Sequence, residues 1–151
     1  MVAFIEYDVT PDRWREFHPD PAVAPPPPFS ESQGEPYSVT GAGGIYTGSK
    51  DYLFFAAIAG VRNDTGIPPL FPPRGLPPNP SPEVLRWLNS HGELGEFCNS
   101  WLRPSEIDAA LDHQRVDRDL LSFETHTILA IMGNLAARLG DDRVRLVFGF
   151  G

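Results

Sequence analysis

The sequence predicts a single α+β domain in which a small, mainly antiparallel sheet packs against three or four helices. Strand-forming residues dominate both ends of the chain, at Val2–Tyr7 and Val144–Phe150. The regular alternation of strands and helices that a parallel, doubly wound sheet requires is missing between them. The chain has 151 residues, which is enough for one hydrophobic core and short for two.

The front of the chain is predicted to hold a strand, one helical turn and a proline-rich arm. The strand and turn occupy residues 1–18, and the arm occupies residues 19–36. The arm includes four consecutive prolines, at positions 25–28, which favour an extended polyproline II conformation. We interpret it as a surface arm or linker, with docking onto a neighbouring subunit as the alternative. Residues 37–151 then form the core domain, which the first strand joins.

A glycine-rich segment and a short apolar helix follow the arm. Residues 37–47 predict a second strand, broken by the glycines between positions 41 and 44. Backbone amides around such glycines can also cradle a phosphate, although a flexible hairpin is the favoured interpretation. Ser49 is the predicted cap of the apolar helix, and Asp51 in its first turn complements the helix dipole. Gly60 is the expected stop signal.

A proline-rich loop separates this helix from the next. Residues 64–80 contain many prolines, and loops of this length are usually functional or mobile. We expect an ordered loop that apolar side chains pin to the core: Leu70, Phe71 and Leu76. A second helix should then start at Ser81-Pro82-Glu83, which combines a cap, a first-turn proline and an acidic residue, and run to about Ser90.

The last third of the chain predicts two more helices and the clearest strand. Residues 96–102 form a short strand or an ordered loop. A helix runs from Pro104 or Ser105 to about His113. The longest helix spans residues 118–139 and ends at Gly140. Val144–Phe150 is apolar enough to be a central strand. Buried stripes are predicted for the two helices, at Ile107, Ala110 and Leu111 and at Leu121, Ile128, Met132, Leu135 and Leu139.

Composition argues against several functional classes. The formal net charge is −8, whereas non-specific nucleic-acid binding needs a basic stripe. The single cysteine, Cys98, excludes an internal disulfide framework, and the four histidines show no metal-ligand spacing, so we expect neither a metal nor a cofactor. No signal peptide or bilayer-spanning segment is evident, so neither secretion nor a membrane partner is expected.

The candidate site is built on arginines that follow rigid segments. Arg62 and Asn63 leave the apolar helix, and Arg74 lies in the stiff turn Pro73-Arg74-Gly75-Leu76-Pro77. A guanidinium group is a planar fork suited to phosphate or carboxylate. The alternative interpretation is structural: the arginines pair with loop carbonyls or acids and hold the loop in place. Tyr52 and Trp101 are candidates to stack on a base, and His91 is a further candidate ligand contact.

Four blocks of the sequence resemble a family of small proteins encoded by phages and prophages. They are Asp51-Tyr52-Leu53-Phe54 with Ala59-Gly60-Val61-Arg62-Asn63, then Pro73-Arg74-Gly75-Leu76-Pro77, Ser100-Trp101-Leu102 and Val144-Arg145-Leu146-Val147-Phe148. The resemblance covers residues 51–151 and brings no catalytic assignment. In that family an aromatic residue and Phe-Asp-Asn follow the last block, whereas Gly149, Phe150 and Gly151 follow it here.

The resemblance and the arginines together predict a binding protein that counters host defence. Its ligand would be a nucleotide-derived immune signal, held without cleavage in the cytoplasm of an infected or lysogenic bacterium. A homo-oligomer would suit a closed pocket. Direct inhibition of a host defence protein is the first alternative, motivated by the acidic surface. The second is a small nucleotide-processing enzyme with His91, Glu93 or Glu96 as acid or base.

Overall fold

The computed structural model describes residues 2–8, 11–39, 51–94 and 98–150, and it confirms the α+β prediction. Four strands form one antiparallel sheet in the order β2-β1-β4-β3. Their bounds are β1 (Val2–Tyr7), β2 (Tyr37–Ser38), β3 (Cys98–Leu102) and β4 (Val144–Phe150). As predicted, the C-terminal strand is central, with β1 on one side and β3 on the other.

Five α-helices lie within the described residues, together with three single turns of 3-10 helix. The helices are α1 (Pro11–Phe17), α2 (Tyr52–Ala59), α3 (Pro82–His91), α4 (Pro104–His113) and α5 (Phe123–Leu139). The 3-10 turns are Glu31–Gln33, Arg118–Leu120 and Asp141–Arg143. None of these helices is long and apolar enough to cross a bilayer.

Alternating residues of the sheet divide the core into two parts. Leu146 and Phe148 of β4 point into the larger cluster, which α2, α4 and α5 complete. Val147 belongs to the smaller cluster on the opposite face, where Val84 of α3 packs. Since side chains alternate along a strand, Arg145 also points to this second face. The side chain of Arg145 therefore lies opposite the main helical layer.

Asp51 is the cap of α2, so the predicted assignment of Asp51 to the first turn was wrong. Its carboxylate accepts the Phe54 N–H (3.0 Å), the Ser122 N–H (2.7 Å) and the Thr125 hydroxyl (2.6 Å). Burial raises the pKa of Asp51, but these hydrogen bonds outweigh it and hold the pKa below its ordinary value. One carboxylate thus caps α2 and ties it to the start of α5. Ser49, the predicted cap, lies outside the described residues.

The long C-terminal helix begins later than the sequence predicted. Residues 118–120 form a 3-10 turn, Ser122 is extended, and α5 starts at Phe123. The Ser122 hydroxyl accepts the Thr125 N–H (3.2 Å), which is the usual N-cap arrangement. A continuous helix from residue 118 would remove this cap and the Ser122 bond to Asp51. The predicted apolar stripe remains: Leu121, Ile128 and Met132 are buried, and Leu135 and Leu139 are half-buried.

Other predicted boundaries are confirmed. Ser81 caps α3 at Val84 N–H (3.5 Å), and Gly60 ends α2 in the left-handed conformation at φ 68°. Helix α4 has the predicted bounds and its predicted buried face. The strand predicted for residues 37–47 is described only at its start, since residues 40–50, with their glycine cluster, lie outside the described residues.

The proline-rich arm, residues 19–36, belongs to a segment that leaves the sheet after β1 and returns to it at β2. Tyr7 at the end of β1 pairs with Tyr37 at the start of β2, and their rings stack at 5.3 Å. Both ends of this segment are therefore held at β1, because the first end continues from β1 and the second end pairs with it. The arm folds back onto the second face of the sheet, where Phe29 lies over Arg145.

Loop 64–80 is pinned differently from the prediction. Phe71 packs half-buried against the main core, whereas Leu70 and Leu76 are exposed. Hydrogen bonds from two of its backbone amides hold the loop along the edge of β3: Arg74 N–H donates to the Ser100 side chain at Oγ (3.1 Å), and Gly75 N–H donates to the Asn99 carbonyl (2.9 Å). The loop thereby reaches the second face of the sheet.

Candidate ligand-binding cleft

A cleft of about 370 Å³ opens between the arm and the second face of the sheet. Its volume is in the range of small-molecule binding sites. It combines aromatic, cationic, acidic and proline side chains: Pro27, Pro28, Phe29, Pro78, Trp101, Arg103, Asp142 and Arg145. The arm, the end of loop 64–80, strands β3 and β4, and the turn before β4 all contribute to its wall.

A buried ion pair forms the base of the cleft. Arg145 donates from Nε to Glu6 Oε2 (2.7 Å), and the two side chains are 2% and 0% exposed. Burial lowers the pKa of Arg145, while the Glu6 carboxylate opposes that shift. The remaining guanidinium nitrogens donate to the Pro78 carbonyl (3.2 Å) and the Asn79 carbonyl (2.9 Å). The second Glu6 oxygen accepts the Ser81 N–H (2.6 Å), so the pair joins both central strands to the loop before α3.

Backbone strain is concentrated around this arginine. Four non-glycine residues of the described chain have positive φ, and two of them contact Arg145. Phe29 (φ 56°) places its ring 3.8 Å from the Arg145 Cζ atom, and Asn79 (φ 49°) supplies a carbonyl acceptor. Such backbone persists only where the surroundings enforce it, and it gathers at functional sites.

Arg74 forms a structural ion pair with Glu106 beside the cleft. Its guanidinium donates to both Glu106 oxygens (2.9 and 2.7 Å) and lies 4.7 Å from the centre of the Trp101 ring. Burial raises the pKa of Glu106, but the Arg74 hydrogen bond and the Arg103 N–H outweigh it and lower the pKa overall. These contacts match the structural alternative for Arg74, whose guanidinium also packs on the Trp101 ring.

Arg103 and Asp142 stand on the rim of the cleft. Both residues are exposed. Within the described residues, no hydrogen bond or ion pair holds the Arg103 guanidinium; its backbone N–H donates to Glu106 Oε2 (2.9 Å). Asp142 belongs to the 3-10 turn that leads into β4. The rim therefore offers one cation and one carboxylate in the same cleft as the Trp101 ring.

The structure does not gather the six predicted site residues in one place. Arg62 lies over the Tyr52 ring at 4.7 Å, beside α2 on the main face of the sheet. Asn63 holds its own loop: its amide donates to the Ile67 carbonyl, and its oxygen accepts from Thr65. Arg74 and Trp101 form a second group at the edge of β3.

His91 is separate from both groups. It ends α3, and its ring stacks on Trp87 with centroids 4.0 Å apart. Its Nδ1 atom lies 3.1 Å from the Trp87 carbonyl oxygen. Of the two other candidates for an acid or base, Glu93 is exposed and Glu96 lies outside the described residues. No three His, Cys, Asp or Glu side chains in the described part of the chain are placed to hold a metal ion.

Among the residues that line the cleft, Trp101 was predicted from the sequence as a site residue and the others were not. Arg145 carried a signal, because a lone charge inside the apolar run of β4 must be paired if the strand is buried. Phe29 could be noticed as the aromatic residue that ends the proline run. Arg103 and Asp142 carried no signal, since exposed charges next to a helix or a turn are common.

Removing the Arg74 side chain should destabilise the protein. Arg74→Ala leaves the half-buried Glu106 without its bidentate partner, and we expect a loss of about 2 kcal/mol in the free energy of unfolding. Arg86→Ala is the matched control: Glu83 is as buried as Glu106, but Arg86 is 61% exposed and makes a single hydrogen bond to Glu83, so its pair should contribute no more than about 0.5 kcal/mol. Urea titration of both variants measures the difference. Equal stabilities would contradict the structural role of Arg74.

No family model, curated protein or solved structure matches this chain.

Proposed function

We propose that the protein binds a small nucleotide-type ligand in this cleft and retains it without chemical change. The observation that carries the proposal is the grouping of Trp101, Arg103 and Asp142 around one cavity of suitable size. Each of these side chains matches a different part of a nucleotide, so one ligand can engage all three.

The match follows from the chemistry of each group. An arginine fork binds phosphate with charge-assisted hydrogen bonds. An indole ring stacks on a nucleobase, whatever its identity. A carboxylate accepts from the exocyclic amine of adenine, guanine or cytosine. A phosphate ion alone would use only Arg103, and an uncharged aromatic compound would leave it without a partner.

The biological part of the proposal rests on the resemblance to phage and prophage proteins. A protein that holds a nucleotide-derived immune signal in the infected cell would lower the free concentration of that signal. Such a sponge needs affinity and abundance, and it needs no reaction. We therefore propose an anti-defence role by sequestration in the bacterial cytoplasm.

The test is depletion and recovery of nucleotides. The protein is incubated with a panel of linear and cyclic nucleotides, and the free and bound fractions are separated by ultrafiltration. Heat denaturation of the bound fraction then releases the ligand for chromatography. Recovery of the intact nucleotide is expected. An altered product would replace sequestration with the enzyme alternative, and no depletion of any nucleotide would overturn the proposal.

A matched pair of variants locates the binding site. Arg103→Gln should weaken binding of a depleted nucleotide by about tenfold or more, because it removes the charged phosphate contact. Arg138→Gln removes the same charge from the exposed face of α5 and should leave affinity unchanged. Isothermal titration calorimetry compares the two. Equal affinities would place the ligand elsewhere on the protein.

One observation favours direct inhibition of a host protein as the second candidate function. Leu120, in the 3-10 turn before α5, is 71% exposed, and Phe123, the first residue of α5, is 82% exposed. Exposed acidic side chains lie close to them in the chain: Asp117, Asp119 and Glu124. Apolar side chains with an acidic rim suit a basic protein surface. Phe123→Ser would weaken inhibition of a host complex without affecting nucleotide depletion.

A further inference from the structure

Two of the contacts between the arm and the body of the protein meet at Phe29. Its N–H donates to Asp8, and its ring covers the Arg145 guanidinium. Elsewhere the Asn79 amide donates to the Gly34 carbonyl (2.9 Å), and the Arg143 guanidinium donates to the Pro26 carbonyl (3.5 Å). Residues 19–24 are all exposed, Phe29 is half-buried, and no described arm residue belongs to either core cluster. Segments that lie outside the hydrophobic core open locally at lower cost than the core elements.

Release of Phe29 would leave no buried charge without a partner. Arg145 keeps Glu6 and both loop carbonyls, none of which belongs to the arm. Asp8 keeps Arg143, whose guanidinium lies 3.8 Å away. Release would also free Phe29 from its left-handed backbone, which is unfavourable for a side chain of this size.

We propose that the arm is a lid on the cleft and that Phe29 is its latch. In the closed state Pro27, Pro28 and Phe29 form one wall of the cavity. When Phe29 leaves Arg145, this wall moves away and Trp101 becomes accessible from the arm side. The C-terminal end of the arm stays attached to the sheet because Tyr37 remains paired with Tyr7. This inference rests on the proposed function, for which the lid controls entry and residence of the ligand.

Hydrogen exchange without any ligand tests the latch. The amide at position 29 should exchange at least about tenfold faster than the slowest amides of β1 and β4, because it opens locally rather than by global unfolding. Phe29→Ala should accelerate it by about another tenfold, since a desolvated cation–π contact is lost. Phe17→Ala is the matched control: Phe17 is 73% exposed, and its truncation should leave exchange at position 29 unchanged.

Acrylamide quenching tests whether the movement opens the cleft. Phe29→Ala should increase tryptophan quenching, and the increase should vanish when Trp101→Phe is added. The lid proposal would be overturned if the amide at position 29 exchanged no faster than the slowest amides of β1 and β4. It would also be overturned if Phe29→Ala accelerated this exchange but left the quenching of Trp101 unchanged. Neither measurement uses a nucleotide, so a failure to deplete nucleotides would overturn the proposed function alone.

Discussion

Replacing Arg145 by methionine should lower the free energy of unfolding by about 3–5 kcal/mol. The substitution keeps much of the side-chain volume but leaves Glu6, which is 0% exposed, without its cation. It also leaves the carbonyls of Pro78 and Asn79 without their donor. Chemical denaturation of the variant and the wild type measures the loss. The loop before α3 should loosen at the same time, because Arg145 is its link to β4.

A second substitution separates the charge from the packing at this position. Glu6→Gln in the Arg145→Met background removes the unpaired carboxylate and keeps an acceptor for the Ser81 N–H, so stability should recover by at least about 1 kcal/mol. Arg118→Met is the matched control, because its ion pairs with Asp108 and Asp112 are exposed and its loss should cost under about 1 kcal/mol. A loss of stability for Arg145→Met as small as the loss for Arg118→Met would contradict the buried ion pair.

Gly149→Ala should lower the free energy of unfolding by about 3 kcal/mol, which corresponds to a Tm lower by about 6–12 °C. A Cβ atom at Gly149 would lie 2.4 Å from the Leu94 carbonyl carbon and 2.6 Å from its oxygen. These are backbone atoms, so a side-chain rotation cannot relieve the clash. Leu94 is buried in the smaller core cluster, and its displacement would also disturb Val84.

Gly133→Ala is the matched control for the same added methyl group. Gly133 lies in the middle of α5 on its exposed side, and no neighbouring heavy atom lies within 4 Å of its Cβ position. Alanine favours a helix over glycine by about 1 kcal/mol, so this variant should be more stable than the wild type. Differential scanning calorimetry should show Tm shifts of opposite sign. Two shifts of the same sign would refute the close approach of Leu94 to β4.

These two positions show why the second face of the sheet is the functional candidate. Gly149 allows the Leu94 backbone to lie directly against β4, and Arg145 holds the loop before α3. They place chain segments on this face towards the two ends of β4, and Trp101 lines the cleft together with Arg145. The main face is covered by helices α2, α4 and α5, which pack apolar side chains against it.

Polar residues of the four sequence blocks mostly hold this fold. Asp51 caps α2 and binds α5, Arg74 fixes loop 64–80 to Glu106, and Arg145 pairs with Glu6. Arg62 makes a contact with Tyr52 at the exit of α2. Trp101 is the member of these blocks that lines the cleft. The sequence blocks therefore identify the framework of the site better than its ligand contacts.

Local signals decided which segments became helices and strands. Ser81-Pro82, Pro104 and Gly60 determine helix ends through capping and backbone geometry, which depend only on neighbours in the chain. Val144–Phe150 was predictable as a central strand because nearly every residue is apolar. The start of α5 was not, since Ser122 is extended only while Asp51, 71 positions earlier, accepts its N–H.

By itself, the sequence determined the α+β class and most helix and strand positions, and it named Trp101 as a candidate. Only the tertiary structure decided that Arg74 is a loop anchor, that the arm returns to the sheet, and that Arg103 and Asp142 share a cavity with Trp101. The reason is physical. Capping and periodicity act over a few residues, whereas pairing of a charge and closure of a cavity depend on groups that meet only after the chain has folded.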